Sequence, residues 1–260
     1  MEKLKVAQIG MGKWGKKLSL VAAKYSELII ADRESFDSYL ADKEIQAVII
    51  ATPIDTHFEI AMRALEANKH VFLEKPGTDS SQKIAELAVE AEKRELVLQI
   101  GYEFAYAREI GEMQALLQSG KVKKISFVWK KWGTFELHPV INLLVHELSI
   151  IKACGIQNIE ITKYEETKGE HNPDSIHIEA KSGNLEIIFD IDRASEIKEK
   201  TVTLEGDMDK FEWKDGGTNL VDLEMEAFIS SIQNKSAPLT DGKFGKEILQ
   251  IIEKLPYRAS

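Results

Sequence analysis

Glycines at 10, 12 and 15 follow an apolar run, Leu4 to Ile9, and precede Leu18, Val21, Ala22 and Tyr25 at helical spacing. The pattern is G-x-G-x-x-G between a predicted strand and a predicted helix. The chemistry it suggests is phosphate binding. Gly10 permits the tight turn, Gly12 lets a pyrophosphate approach the backbone, and Gly15 lets helix and strand pack closely. The helix N-terminus adds free N–H groups and partial positive charge. A second predicted strand, Glu27 to Ala31, runs into Asp32, about 20 residues on, where a ribose-binding acid belongs. Asp32 can accept from both ribose hydroxyls of NAD and repel a 2′-phosphate, whereas Arg33 can hold that phosphate. NAD is the expected cofactor and NADP stays open. Met11, Lys13 and Trp14 complete the cofactor-binding loop, Trp14 either stacking near the cofactor or packing on the first helix.

Two further sets carry reactive groups. Lys75 stands between Glu74 and Pro76 at the end of a short predicted strand, His70 to Leu73. A lysine there can donate to a substrate oxygen and stabilise charge developing on it, or it is simply a solvated strand-end lysine. Asn142 and His146 lie four residues apart in an apolar helix expected over 140–153, and so share one face. A histidine in that setting is either a satisfied core residue or a general base aimed into a cleft. Thr52 and Pro53 follow another strand, Ala47 to Ala51, and are expected on the cofactor side; His57 opens the next helix, where it can cap it or lie at the surface. Tyr102 and Trp132 are candidate substrate contacts.

Positioning these groups takes two kinds of element. Up to about Gly120, short apolar strands alternate with helices whose stripes recur at 3.6 residues, which predicts a doubly wound parallel sheet. Its ligands belong outside the carboxyl ends of the strands, where the loops at Gly10, Asp32, Thr52, Glu74 and Gly101 should converge. Beyond Gly120 the period becomes two, as in Ile125/Phe127/Trp129 and Leu185/Ile187/Phe189/Ile191. Turn residues such as Ser182-Gly-Asn184 punctuate it, so an antiparallel meander is expected, followed by two closing helices. The expected architecture is a Rossmann domain, 1–119, followed by an α+β domain, 120–260, with an open, mostly antiparallel sheet that covers the cleft. An exposed face on that sheet would favour a homodimer or homotetramer.

The composition narrows the partners. With 260 residues, 43% hydrophobic and 30% charged, the chain suits two modest domains with real cores. A net charge of −9 argues against nucleic acid or an anionic membrane surface. A lone cysteine, Cys154, excludes an internal disulfide and a Cys-rich metal site, and no histidine pattern suggests a metal. The first strand starts at Leu4 with no signal peptide before it, and no apolar run reaches membrane-spanning length, so a cytoplasmic protein is expected.

Several of these segments together resemble the glucose–fructose oxidoreductase/inositol dehydrogenase (Gfo/Idh/MocA) family. They are Gly10 to Gly15, Ala51-Thr-Pro-Ile-Asp-Thr-His57, Ala67-Asn-Lys-His-Val-Phe-Leu-Glu-Lys-Pro76, Gln118-Ser-Gly120, Val145-His-Glu-Leu148 and Glu226 to Ile232. The resemblance implies an NAD(P)-dependent oxidoreductase acting on a secondary alcohol or ketone of a sugar, cyclitol or sugar derivative. It places His146 on the family's catalytic histidine, Lys75 on its active-site lysine, Glu74 on the acid beside the cofactor and His57 on a residue near the cofactor. Asn142 stands where the family usually has aspartate; an amide cannot raise the basicity of the imidazole, though it can hold a hydroxyl. The Gly-Gly approach to this helix is replaced by Phe135-Glu-Leu-His-Pro139. An alternative implied by these departures is a nucleotide-binding regulatory or partner protein that keeps the cofactor site and has lost turnover.

Overall fold

The structure, a computed structural model, describes residues 3–32, 34–133, 137–214 and 219–257. Arg33 and Phe135 lie outside the described residues. The chain groups into two units, 1–106 with 219–250 and 107–218 with 251–260. The sequence reading expected a single cut at 119/120; the observed units are instead interleaved along the chain.

The first unit alternates β1 (Lys5–Ile9), α1 (Lys13–Tyr25), β2 (Glu27–Ala31), α2 (Phe36–Ala41), β3 (Ala47–Ile50), α3 (Ile54–Glu66), β4 (His70–Glu74), α4 (Ser81–Lys93) and β5 (Leu98–Gly101). All five strands are parallel in the order β2-β1-β3-β4-β5. Every residue of β3 and β5 is buried, as strands covered on both faces must be, and this is why they read as unbroken apolar runs. The order reverses between β1 and β3. That is the switch point where an open parallel sheet forms its ligand crevice.

The registers align the strand ends. Ile9 pairs with Ala31 and Ile50, Ile50 with Leu73, and Glu74 with Gly101. Gly10, Asp32, Ala51, Lys75 and Tyr102 therefore leave one edge of the sheet side by side. A late helix, called α7 below (Leu220–Asn234), closes one face of this sheet. Its Val221, Met225, Phe228, Ile229 and Ile232 share a core with Val6, Leu18, Val21 and Phe72, and Phe228 meets Phe72 edge-on at 5.6 Å.

The second unit begins with α5 (Glu109–Gln118) and β6 (Val122–Lys130). A π-helical turn, Val140–Leu144, leads directly into α6 (Val145–Ala153). Strands β7 (Glu160–Thr167), β8 (Ser175–Ser182), β9 (Leu185–Asp192), β10 (Glu199–Gly206) and β11 (Met208–Lys214) follow. The sheet order is β11-β10-β6-β9-β8-β7. It is mostly antiparallel as expected, but it is not a meander: β6 sits in the middle and pairs parallel with β9. The helical insertion after β6 carries the chain away, and β7-β8-β9 and β10-β11 then add on either side of β6. The last helix, α8 (Gly242–Ile252), runs from the first unit to the point where the chain rejoins the second.

Candidate functional site

The loop between β1 and α1 separates its three glycines by what each must fit. Gly10 has φ +96°, and a Cβ on it would stand 2.3 Å from the Ala51 carbonyl oxygen. A Cβ on Gly15 would stand 2.1 Å from the Gly10 carbonyl oxygen. Both positions are therefore closed to any side chain by the protein itself. A Cβ on Gly12 meets nothing within 4 Å, and its φ of −62° is one that any residue adopts. The fold has no need of a glycine there. What the bare backbone leaves is an open approach to the N-terminus of α1, where the cap makes no side-chain hydrogen bond and the first turn carries no acid.

Gln8 braces this loop from below. It is fully buried in β1, and its Nε2 donates to the carbonyl oxygens of Gly15 at 2.8 Å and Gly10 at 3.2 Å. The sequence reading missed it; the signal was a lone amide in the middle of an otherwise apolar strand. Asp32 is held in place too, with Oδ1 accepting from the Ser35 backbone N–H at 2.7 Å and the Ser35 hydroxyl at 2.5 Å. Those donors favour the carboxylate and hold Asp32 below its ordinary range. It is exposed at the strand edge, presented outward.

Around Lys75 the partners are internal. Trp14 Nε1 donates to Glu74 Oε1 at 2.5 Å, and the Lys75 N–H donates to Glu74 Oε2 at 3.2 Å. Trp14 therefore holds the acid, with the Lys17 ammonium 4.4 Å over its ring. Burial and the neighbouring Glu103 carboxylate push Glu74 up to about 7, against the pull of Trp14 and Lys75. Burial pushes Lys75 down, while Glu74 and Glu103 favour its charged form.

Tyr102, expected among the substrate contacts, is an internal residue. It is fully buried, packs on Phe244 with ring centroids 5.8 Å apart and planes tilted by 49°, and its hydroxyl donates to the Pro76 carbonyl oxygen at 3.1 Å. Its position after β5 places it beneath the turn that carries Lys75. His57 is likewise internal, with Nδ1 2.9 Å from the Gly77 carbonyl oxygen and Nε2 2.7 Å from that of Thr52. Burial pushes it below the usual histidine range in spite of the two carbonyls. It ties the loop after β3 to the turn after Lys75. Thr52 Oγ1 bonds Thr56 Oγ1 at 2.8 Å, and Pro53 caps α3 in an exposed position; Met11 and Lys13 are exposed beside Gly12.

In the second unit, His146 is 7% exposed and stacks on Trp129, ring centroids 5.3 Å apart and tilted 32°. The Lys200 ammonium lies 3.7 Å from the centre of the same indole. Asn142 is half-buried on the π turn before α6. Trp132 is 56% exposed and meets His171 edge-on at 5.2 Å. His138, by contrast, is a structural residue. Its Nδ1 accepts from the Val140 N–H at 3.3 Å, its Nε2 lies 3.2 Å from Glu166 Oε1, and its ring stacks on Tyr257.

Sequence reading also missed Arg193, which is 2% exposed. Its guanidinium donates to the carbonyl oxygens of Pro173, Leu137 and His171 at 2.6 to 2.8 Å. It fastens the segment leading into the His146 helix to the loop after β7. Among the described residues, no group of three or more His, Cys, Asp or Glu is arranged to hold a metal ion, and no helix is long and apolar enough to cross a membrane.

Residues 16–102 match a protein family described as the Gfo/Idh/MocA oxidoreductase family, NAD-binding Rossmann fold. Over these residues, a third of the chain, the protein resembles that family. Among curated relatives, it is 26% identical over 135 residues to scyllo-inositol 2-dehydrogenase (NAD(+)) of Bacillus subtilis, a match covering 51% of this chain and 39% of that protein. It is 31% identical over 133 residues to UDP-N-acetylglucosamine 3-dehydrogenase of Acidithiobacillus ferrooxidans, covering 49% and 41% respectively. The matches thus span about two fifths of these relatives' lengths. A solved structure of the latter enzyme superposes with a TM-score of 0.85 at 19% identity, covering 98% of this chain and 97% of that one. At that identity the likeness establishes the fold alone.

Proposed function

We propose that this chain is an NAD-dependent oxidoreductase that interconverts a secondary alcohol and a ketone on a sugar, cyclitol or sugar derivative. One observation carries the reading furthest: of the three loop glycines, Gly12 alone has no internal reason to be glycine, and it opens onto an uncapped helix N-terminus. A pyrophosphate is the ligand such a place fits. The relatives named above act on an inositol and on a nucleotide sugar, which supports a polyol substrate.

The residues divide the work as follows. Gly12 and the first turn of α1 hold the pyrophosphate, and Asp32, fixed by Ser35, accepts from the ribose hydroxyls. Asp32 also disfavours a 2′-phosphate, so NAD is preferred to NADP. NAD, when bound, accepts or returns the hydride. His146 takes the hydroxyl proton in the oxidation direction and returns it in reduction. Lys75 donates to the substrate oxygen as it becomes a carbonyl, and Asn142 orients the hydroxyl. Trp129 fixes the plane of the His146 imidazole by stacking.

The test is titration calorimetry with NAD and NADP, followed by a turnover screen of polyols, sugars and nucleotide sugars. NAD should bind more tightly than NADP. Lys75→Ala and His146→Ala should leave NAD affinity nearly unchanged while turnover falls about 10²-fold or more. Bound NAD with no turnover of any substrate would favour a regulatory protein that uses the nucleotide as its signal.

A further inference from the structure

The turn that carries Lys75 is held by side chains from the segments after β1, β3 and β5. Residues 71–74 and 76–78 are buried, and Lys75 between them is half-buried. Inside the turn, the Gly77 N–H donates to the Glu74 carbonyl oxygen at 3.0 Å. On its far side, the Tyr102 hydroxyl donates to the Pro76 carbonyl oxygen at 3.1 Å, and His57 Nδ1 lies 2.9 Å from the Gly77 carbonyl oxygen. On its near side the hold runs through the Glu74 carboxylate. Oε1 accepts from Trp14 Nε1 at 2.5 Å, and Oε2 accepts from the Lys75 N–H at 3.2 Å.

Trp14 differs from Tyr102 and His57 in where it stands. It lies in the first turn of α1, two residues beyond Gly12, in the stretch proposed to hold the pyrophosphate. Its partner Glu74 is confined from the other side. Gly101 pairs with Glu74 across the strands, and a Cβ there would stand 3.2 Å from Oε1 and 3.3 Å from Oε2. With bare backbone packed so closely against the carboxylate, the indole N–H decides which way it faces. Because Oε2 takes the Lys75 N–H, a carboxylate that turns also turns the peptide bearing the lysine. A hydrogen bond to an ionised acceptor is roughly twice as strong as one between neutral groups, and an aromatic ring without an N–H offers none.

We propose that Trp14 is a positioning residue for Lys75. Its indole N–H orients the Glu74 carboxylate, and Glu74, through the Lys75 N–H, orients the turn that presents the lysine. The glycine loop and the lysine turn are thereby joined in one piece. The consequence for rate rests on the proposed role of Lys75 as donor to the substrate oxygen, whereas the positioning itself is read without turnover.

Two replacements remove the N–H. Trp14→Phe keeps an aromatic ring, and benzothienylalanine in place of Trp14 keeps the whole bicyclic shape. NMR follows the Glu74 carboxyl carbon, assigned by its loss in Glu74→Gln, and the Lys75 amide proton, assigned by lysine-selective labelling and Lys75→Arg. In both replacements the Glu74 midpoint should rise from about 7 by about one pH unit, because the lost donor favoured the carboxylate. The other charged groups that act on Glu74 or respond to it, Lys75, Glu103 on the turn after β5 and Glu224 on α7, are the same in every protein compared. The Lys75 amide proton should move upfield as its bond to Oε2 weakens. In turnover, kcat should fall about 10- to 100-fold while the Kd for NAD changes by less than about threefold, as for a displaced reacting group. That fall should disappear in a Glu74→Ala background, where Trp14 has nothing to act through.

A Glu74 midpoint and a Lys75 amide resonance equal to the parent's in both replacements would overturn the proposal. So would an unchanged kcat in an active enzyme, or a fall of the same size with Glu74→Ala present. Shifted resonances in a protein that turns over no polyol would uphold the positioning and remove the hydride-transfer reading instead.

Discussion

Gly10, Gly12 and Gly15 look alike in the sequence, yet substitutions should separate them. Gly12→Val should keep the circular dichroism spectrum and thermal midpoint of the parent while abolishing NAD binding, because its Cβ meets only space that the pyrophosphate would fill. Gly15→Ala should unfold the unit or lower its midpoint sharply, because its Cβ would stand 2.1 Å from a backbone oxygen that cannot move aside. Unchanged NAD affinity in Gly12→Val would reduce the loop to a plain turn. Glu74 gives a second test. Its folded carboxyl titrates at about 7, above the ordinary 4.5, so its protonated form stabilises the fold fully below about pH 4.5, and that stability is lost as the pH rises through 7. Glu74→Gln keeps an acceptor for Trp14 and carries no charge. Relative to the parent it should gain stability as the pH rises from 4.5 to about 8. Thermal melts across that range check it. At this scale spacing made the glycines and Asp32 legible. The bracing by Gln8 and the bond from Trp14 to Glu74 were hidden, since each joins residues that come together only through the fold.

Among the elements, the strands β1, β3, β4 and β5 were readable as short apolar runs because they are almost wholly buried, whereas β2, at the sheet edge, is only partly covered. Pairing in the second sheet was less accessible. The period of two gave the strands correctly, but β6 and β9 are parallel neighbours far apart in sequence, and no local signal records that partnership. Apolar residues on most sides predicted a helix at 140–153, and they could not distinguish the π turn at Val140–Leu144 from regular α geometry. Wide turns of this kind recur at functional sites, and this one carries Asn142. Asn142→Asp should shift the pH dependence of turnover by making the imidazolium of His146 easier to form, with the fold unchanged because the side chains match in size. Identical pH profiles for the two proteins would leave Asn142 without influence on the base. Arg193 is the fastener of the same region. Arg193→Met should strand three carbonyl oxygens at Pro173, Leu137 and His171 and cost at least about 3 kcal/mol, read by chemical denaturation. A loss below about 1 kcal/mol would mean water replaces the guanidinium without penalty.

Taken whole, the chain makes its first unit from two separated stretches, 1–106 and 219–250. The fragment 1–119, the domain that sequence periodicity suggests, lacks α7 and the five apolar side chains it buries on the sheet. At about 1.5–3 kcal/mol for each large buried side chain, the loss is on the order of 10 kcal/mol, as much as a domain's whole stability. This fragment should be aggregated or molten by dye binding and circular dichroism; a soluble, cooperatively melting 1–119 would show that α7 is dispensable. The interleaving also sets a timetable for synthesis. Residue 106 leaves the ribosome more than a hundred residues before Asn219 does. At about 5–20 residues per second, the nascent parallel sheet waits roughly 5–20 s with Val6, Leu18 and Phe72 lacking their cover. During that interval the apolar face is open to contact with other chains. Slow translation of the intervening sheet, from β6 to β11, would therefore lower the yield of folded protein, although it leaves every residue of the finished molecule unchanged.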